Sequence, residues 1–201
     1  MAEEFMQIKP RKRPEIIVFA GPNGSGKSTV TEFVPLIQPY INADEIKKTL
    51  LCSDMEAAQK ADALRRQCIE KGQGFTFETV LSTERNLNLL RLAKEKGYFI
   101  RCVYVLTADP LVNVFRVKTR KASGGHDVPP DRVIARYHRA LKLIPQLLEV
   151  CDVCHIYDNT VKPLRIFKKR KTEDFYWAND LWNKAQIQKL TGSTHMKVRG
   201  Y

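Results

Sequence analysis

Glu15–Thr29, EIIVFAGPNGSGKST, is an apolar run that breaks into a glycine-rich turn and ends on a lysine and two hydroxyl residues. Ile16 to Phe19 read as a strand buried on both faces, and Val30 to Ile37 can open a helix. Strand, glycine turn, helix is the order that a phosphate-binding loop requires. Gly21, Gly24 and Gly26 can take backbone angles closed to other residues, so successive N–H groups can turn inward around a phosphate at the positive end of the following helix. The expected cradle is Gly21, Pro22, Asn23, Gly24, Ser25, Gly26, Lys27, Ser28 and Thr29. Lys27 would reach the β and γ oxygens of a nucleoside triphosphate, and the Ser28 hydroxyl would hold a metal ion. ATP and Mg²⁺ are the cofactors this implies.

Working outward, apolar runs alternate with amphipathic stretches. Tyr40 to Ala43 reads as a short strand running into Asp44, and Phe75 to Thr79, Phe99 to Leu106 and Val150 to Tyr157 read as further strands. Between them, Asp54 to Lys71 carries Ala57, Ala61, Leu64 and Cys68 at helical spacing, Ser82 to Lys96 has Ser82 as its cap, and Asp109 to Lys121 is a third helical stretch. Strands separated by helices predict an α/β fold with a doubly wound parallel sheet of five or six strands, the sixth being Leu164 to Lys168. A terminal helix is expected over Asn179 to Leu190, followed by a loose tail from residue 191 to 201. The whole reads as one domain, with a basic arm over residues 1–14.

The chain has 201 residues and 43% apolar content, enough for one sizeable core. No stretch has the length of a membrane span and the start has no long apolar segment, so a cytoplasmic protein without membrane contact is expected. Five cysteines are an odd number; Cys52, Cys68 and Cys102 stand singly, as reduced core thiols do. Cys151, Cys154 and His155 invite a zinc site, but one CxxC inside a strand-like run without a second ligand pair reads as buried sheet. The net charge of +12 calls for an anionic partner. Nucleic acid is one; the other is a triphosphate with a second phosphorylated substrate, which needs several arginines at once.

Ligands of such sheets sit at the carboxyl ends of the strands, so the residues there are the site candidates. Asp44 ends the second strand, Glu78 and Thr79 the third, and Asp158 with Asn159 the fifth. Asp44 could equally cap a helix, and Asp158 with Asn159 could form only a turn. Asn113, Arg116 and Arg120 share a helical face; beyond the loop Ser123 to Pro130, Arg132, Arg136 and Arg139 share another, backed by Val133, Tyr137, Leu141, Ile144 and Leu148. Residues of about 116 to 140 would then form an arginine-bearing lid over the triphosphate, against the alternative of an ordinary solvated face.

In order and spacing, GPNGSGKS, NADEI (Asn42 to Ile46), FETVLS (Phe77 to Ser82), RCVYVLTADP, RVKTRKASGGHDVP (Arg116 to Pro129) and IYDN (Ile156 to Asn159) resemble the zeta toxin group of P-loop kinases, whose core is adenylate-kinase-like. The likeness runs from about Glu15 to Asn159. It implies Asp44 as the catalytic base, Glu78 and Thr79 as substrate contacts, and Lys27, Arg120 and Arg136, with Arg116, as phosphate-facing cations. It also implies phosphorylation of a hydroxyl on a UDP-activated amino sugar, and a small helical antitoxin as partner. Two rivals fit poorly: a GTPase lacks its NKxD motif, and an ABC-type ATPase, suggested by SGGH, lacks the aliphatic run and acidic pair that should follow. A polynucleotide kinase or nucleic-acid-associated ATPase stays open, since Phe167 to Trp177, FKKRKTEDFYW, interleaves aromatics with cations.

Overall fold

The strand read first, β1 (Glu15–Ala20), is buried along its apolar length, and the rest of the sheet is arranged around it. β3 (Phe75–Thr79) and β4 (Phe99–Leu106) pair with its two edges, both parallel. β2 (Tyr40–Ile41) adds beyond β3 and β5 (Val153–Asp158) beyond β4, again parallel. The structure, a computed structural model, describes residues 13–122 and 128–200. Most of the basic arm and the first five residues of the Ser123 to Pro130 loop therefore lie outside the described residues.

The sheet continues further than the five or six strands expected. β6 (Leu164–Arg170) and β7 (Glu173–Tyr176) form an antiparallel hairpin on β5, and β8 (Met196–Val198) pairs parallel with β7, giving, among the described residues, the eight-stranded order β2-β3-β1-β4-β5-β6-β7-β8. The hairpin turn places Lys171 at φ 56°, a left-handed position without the glycine or asparagine that would have announced it. The expected loose tail supplies β8, held where the Ser193 hydroxyl donates to Asp174 at 2.6 Å.

Four of the eight helices among the described residues cover one face. α3 (Asp54–Glu70) starts in a capping box of Ser53 and Glu56, α4 (Glu84–Glu95) follows Thr83 rather than Ser82, and α7 (Ile144–Val150) and α8 (Lys184–Thr191) complete the layer. Their apolar residues pack with Ile16, Val18, Phe75, Phe77, Ile100, Cys102, Ile156 and Phe167 in one core. α8 begins after Asn179 because Asn183 and Gln186 form its capping box. Among the described residues, the opposite face is covered only near β1 and β4, where Val30, Val34 and Ile37 pack on Ile17, Phe19, Val103 and Val105. There the helix after the glycine turn, α1 (Lys27–Thr31), is shorter than Val30 to Ile37 suggested.

Above the sheet's carboxyl edge stand α5 (Pro110–Ala122) and α6 (Pro130–Lys142). Tyr137 of α6 anchors them by donating its buried hydroxyl to the Thr107 carbonyl at 2.6 Å, directly after β4. The remaining helix, α2 (Ala43–Leu50), packs against α3. Among the described residues, no helix is long and apolar enough to cross a membrane.

Candidate active site

The glycine turn after β1 is built by contacts from distant parts of the chain. Gly21 N–H donates to the Thr79 carbonyl, Asn113 of α5 donates to Asn23 O at 2.7 Å, and Asn159 after β5 donates to Ser25 O at 2.9 Å. Gly26 has φ 84°, and a Cβ there would stand 2.2 Å from the Asn159 side-chain nitrogen, so only glycine permits both the turn and the clamp. Among the described residues, the N–H groups of Gly26, Lys27 and Ser28 have no hydrogen-bond partner. Lys27 Nζ meanwhile donates to the loop's own Gly21 and Pro22 carbonyls, at 2.9 and 3.2 Å. These are donors arranged for an anion: a ring of main-chain amides with one ammonium folded over it.

A cleft of about 580 Å³ opens on this loop, and Lys27, Ser28, Asp44, Glu78, Thr79, Arg116 and Arg120 all line it. Partial burial pulls the Lys27 pKa down, while the charges of Glu78 and Asp44 act against that shift and Arg120 adds to it. Asp44 sits in the first turn of α2, but Asn42 is the cap, its side chain accepting from the Asp44 N–H at 2.9 Å. The Asp44 carboxylate is thereby exposed to the cleft, with no hydrogen bond among the described residues. Glu78 is held instead: Tyr40 donates to its Oε1 at 2.7 Å and Thr31 at 3.4 Å, and Tyr40 in turn accepts from Asn42. Burial, then the Glu78 hydrogen bond, pushes the Tyr40 hydroxyl well above its ordinary pKa, so it stays a donor.

Thr79 has a structural task beside its place in the cleft. Its hydroxyl accepts from Leu81 N–H and from Asn86 Nδ2, which ties β3 to α4 and leaves one proton to offer a ligand. Of the lid arginines, Arg116 and Arg120 reach the cleft, whereas Arg132, Arg136 and Arg139 are not among its lining residues. Arg116 donates to Thr160 O at 3.0 Å, and its Nη1 is buried without a partner among the described residues. Of the three residues Cys151, Cys154 and His155, the two cysteines lie in the main core, and the alternation of β5 sets His155 on the opposite face from Cys154.

The zeta toxin family model matches residues 2–179 of this chain. The chain belongs to the zeta toxin family. An uncharacterised protein of Haemophilus influenzae is 33% identical over 127 residues, covering 60% of this chain and 91% of its own. Among solved structures, that of the PezAT chromosomal toxin–antitoxin system of Streptococcus pneumoniae superposes with a TM-score of 0.62 at 16% identity, covering 95% of this chain and 83% of the other. The AvrRxo1-ORF1:ORF2 complex with ATP superposes with a TM-score of 0.68 at 14% identity, covering 89% of this chain and 64% of the other. At these identities the structural likeness is one of fold alone.

Several cleft residues of this zeta toxin family member escaped the sequence pattern. Arg65 was hidden in α3, where Leu64 was expected to face the core. In the structure Leu64 is 43% exposed and Arg65 is buried at 6%, its guanidinium 5.0 Å from the Phe77 ring centroid and bonded to Ala61 O. Desolvation lowers its pKa to about 10, which leaves it charged at neutral pH. Arg85 and Asn86, in the first turn of α4, line the cleft beside it, and Asp62 steadies the group through ion pairs with Arg66 at 3.1 Å and Arg85 at 3.2 Å. Positions 57, 61, 64, 68 and 57, 61, 65, 68 both have helical spacing, so no signal in the sequence separated Arg65 from Leu64.

Proposed function

We propose that this chain transfers the γ-phosphoryl group of ATP to a hydroxyl of a small, phosphate-bearing acceptor, with a UDP-activated amino sugar as the acceptor that the family resemblance implies. One observation carries the reading: a single cleft joins the anion-ready loop at one side to a second set of cations, Lys48, Arg65 and Arg85, at the other, with Asp44 and Glu78 also on its lining. Two anionic groups on one bound pair of substrates would need that arrangement. It suits a phosphorylated acceptor better than a neutral alcohol.

The loop amides of Gly26, Lys27 and Ser28 would take the phosphate chain, and Lys27 would turn from the carbonyls of Gly21 and Pro22 to the β and γ oxygens. The Ser28 hydroxyl, which lines the cleft without a hydrogen bond among the described residues, fits a Mg²⁺ ligand. Bound there, the ion would neutralise charge on the phosphate oxygens. Asp44, free of any capping duty, orients the acceptor hydroxyl and accepts its proton; Glu78, fixed by Tyr40, holds the acceptor with its remaining oxygen. Arg116 and Arg120 steady the charge that spreads over the moving phosphoryl group, and Arg136 joins them if α6 swings inward. A small antitoxin as partner and a cytoplasmic location belong to the same reading.

The test incubates the protein with labelled ATP and separate panels of UDP-sugars, nucleosides and 5′-hydroxyl oligonucleotides. Label on a UDP-sugar supports the proposal; label on an oligonucleotide, or phosphate release alone, overturns it. Asp44→Ala should abolish transfer while ATP still binds, whereas Lys27→Ala should weaken both. Turnover retained in Asp44→Ala removes that carboxylate from the chemistry.

A further inference from the structure

The face of the sheet opposite the main core carries its small apolar cluster only as far as Tyr157, and beyond that point its character changes. Residues paired across neighbouring strands project to one side. The registers Val103 with His155, His155 with Lys168, Lys168 with Phe175 and Phe175 with Lys197 therefore set these side chains on that face. Tyr157 with Arg165, and Arg170 with Glu173, join them. A groove of about 290 Å³ on it is lined by Arg165, Lys168, Arg170, Glu173, Phe175, Trp177 and Arg199. None of these residues has been given a role in the kinase cleft.

Cations and rings interleave there at contact distance. The Arg165 guanidinium lies 5.8 Å from the Tyr157 ring centroid and 4.9 Å from that of Trp177, Arg199 lies 4.9 Å from Phe175, and His155 stacks on Tyr157 with 9° between the rings. Acid is scarce: Glu173 is engaged by Lys197 at 2.7 Å, and among the described residues no carboxylate pairs with Lys168, Arg170 or Arg199. The crowding is felt, since partial burial and then Arg165, Arg170 and Arg199 lower the Lys168 pKa. His155 is pushed down to about 4 by burial first and then by Arg165, Lys168 and Arg101, so at neutral pH it is an uncharged ring. The fold thus keeps like charges together that a polyanion would neutralise.

We propose that this open sheet face binds single-stranded nucleic acid, with Lys168, Arg170 and Arg199 on backbone phosphates and Trp177 and the planar guanidiniums offering flat surfaces to bases. Flat rings and guanidinium planes beside a cationic track are what unpaired bases stack on, whatever their sequence. The surface stands independently of the phosphoryl-transfer reading and survives its failure.

Fluorescence anisotropy with labelled twelve-residue oligouridylate and oligothymidylate, across a salt series, tests it, with chain-matched polyphosphate and poly-glutamate as competitors. Wild-type protein should bind both oligonucleotides with Kd on the order of 1–100 µM at moderate salt. Lys168→Gln/Arg170→Gln/Arg199→Gln should weaken binding at least about tenfold and flatten the log–log salt slope by about 2, at roughly 0.7 per lost phosphate contact. Trp177→Ala should weaken binding by about fivefold or more without changing the slope. ATP affinity, which none of these residues touches, should stay unchanged and reports that each variant is folded. Tighter binding of oligouridylate assigns RNA, and of oligothymidylate DNA. Binding unaltered in the triple variant, equal competition by base-free polyphosphate, or preference for poly-glutamate would overturn the proposal; the wild-type salt slope and competition need no variant.

Discussion

Gly26 and Asn159 stand in each other's way by design: the clamp to Ser25 O occupies the space a Cβ would fill. Gly26→Ala should therefore cost about 1–3 kcal/mol of stability through its φ of 84° and the displaced clamp, and should lower ATP affinity at least about tenfold. Asn159→Ala alone forfeits one buried hydrogen bond, about 1 kcal/mol. Because both changes disturb the same contact, the double variant should lose less than the sum, as measured by urea unfolding and ATP titration. Additive losses would show that the clamp and the turn are uncoupled. His155 supplies a pH signature. Its folded pKa of about 4 lies below the ordinary 6.5, so the contribution is intact above pH 6.5. As pH falls through 6.5 toward 4 the unfolded chain takes the proton first and stability drops. His155→Gln should flatten the melting temperature over that window; an unchanged acid limb would assign it elsewhere.

At the level of elements, α2 shows how a helix start can set up chemistry. Asn42 in extended backbone (φ −120°, ψ 122°) takes the capping duty, which leaves Asp44 one residue into the helix with its carboxylate free. Asn42→Ala should cost about 1 kcal/mol and, with Tyr40 losing its contact too, reduce transfer while sparing ATP affinity; Asn42→Asp should restore stability. Equal transfer rates in Asn42→Ala and wild type would detach Asp44's role from its helix. The strand, turn and helix pattern from Glu15 to Thr29 was legible because each signal is local: an apolar run, three glycines, then Lys27 and Ser28. The β6–β7 hairpin was not, since Lys171 takes the left-handed turn position with nothing in its type to mark it. Leu64 and Arg65 exchanged expected places because adjacent residues on a helix differ by a rotation that only packing against Phe77 decides.

For the whole molecule, two separate groups of cations contribute to the net charge of +12. One group of cations lines the cleft, the other lies on the open face of the β5–β8 extension. The extension is closed by its last strand: Met196 is buried in the core with Trp182 and Ile187, and Trp177 Nε1 donates to Gly200 O at 2.9 Å. Deleting residues 193–201 should lower stability by about 2 kcal/mol or more and expose the β7 edge, while ATP affinity holds. Unfolding midpoints and ATP titration of the shortened chain check this; a lost ATP site would mean that the extension supports the cleft.

The sequence by itself determined the phosphate loop, the parallel direction of the central strands and the acids at their ends, because each is written in local runs and in the helices between successive strands. Tertiary structure decided the rest. Asn113 and Asn159 clasp a loop 90 and 134 residues away, and Arg65 and Arg85 meet Asp44 across one cleft. Such meetings follow from how the sheet is wound and which helix faces turn inward, and no local pattern of residues records them.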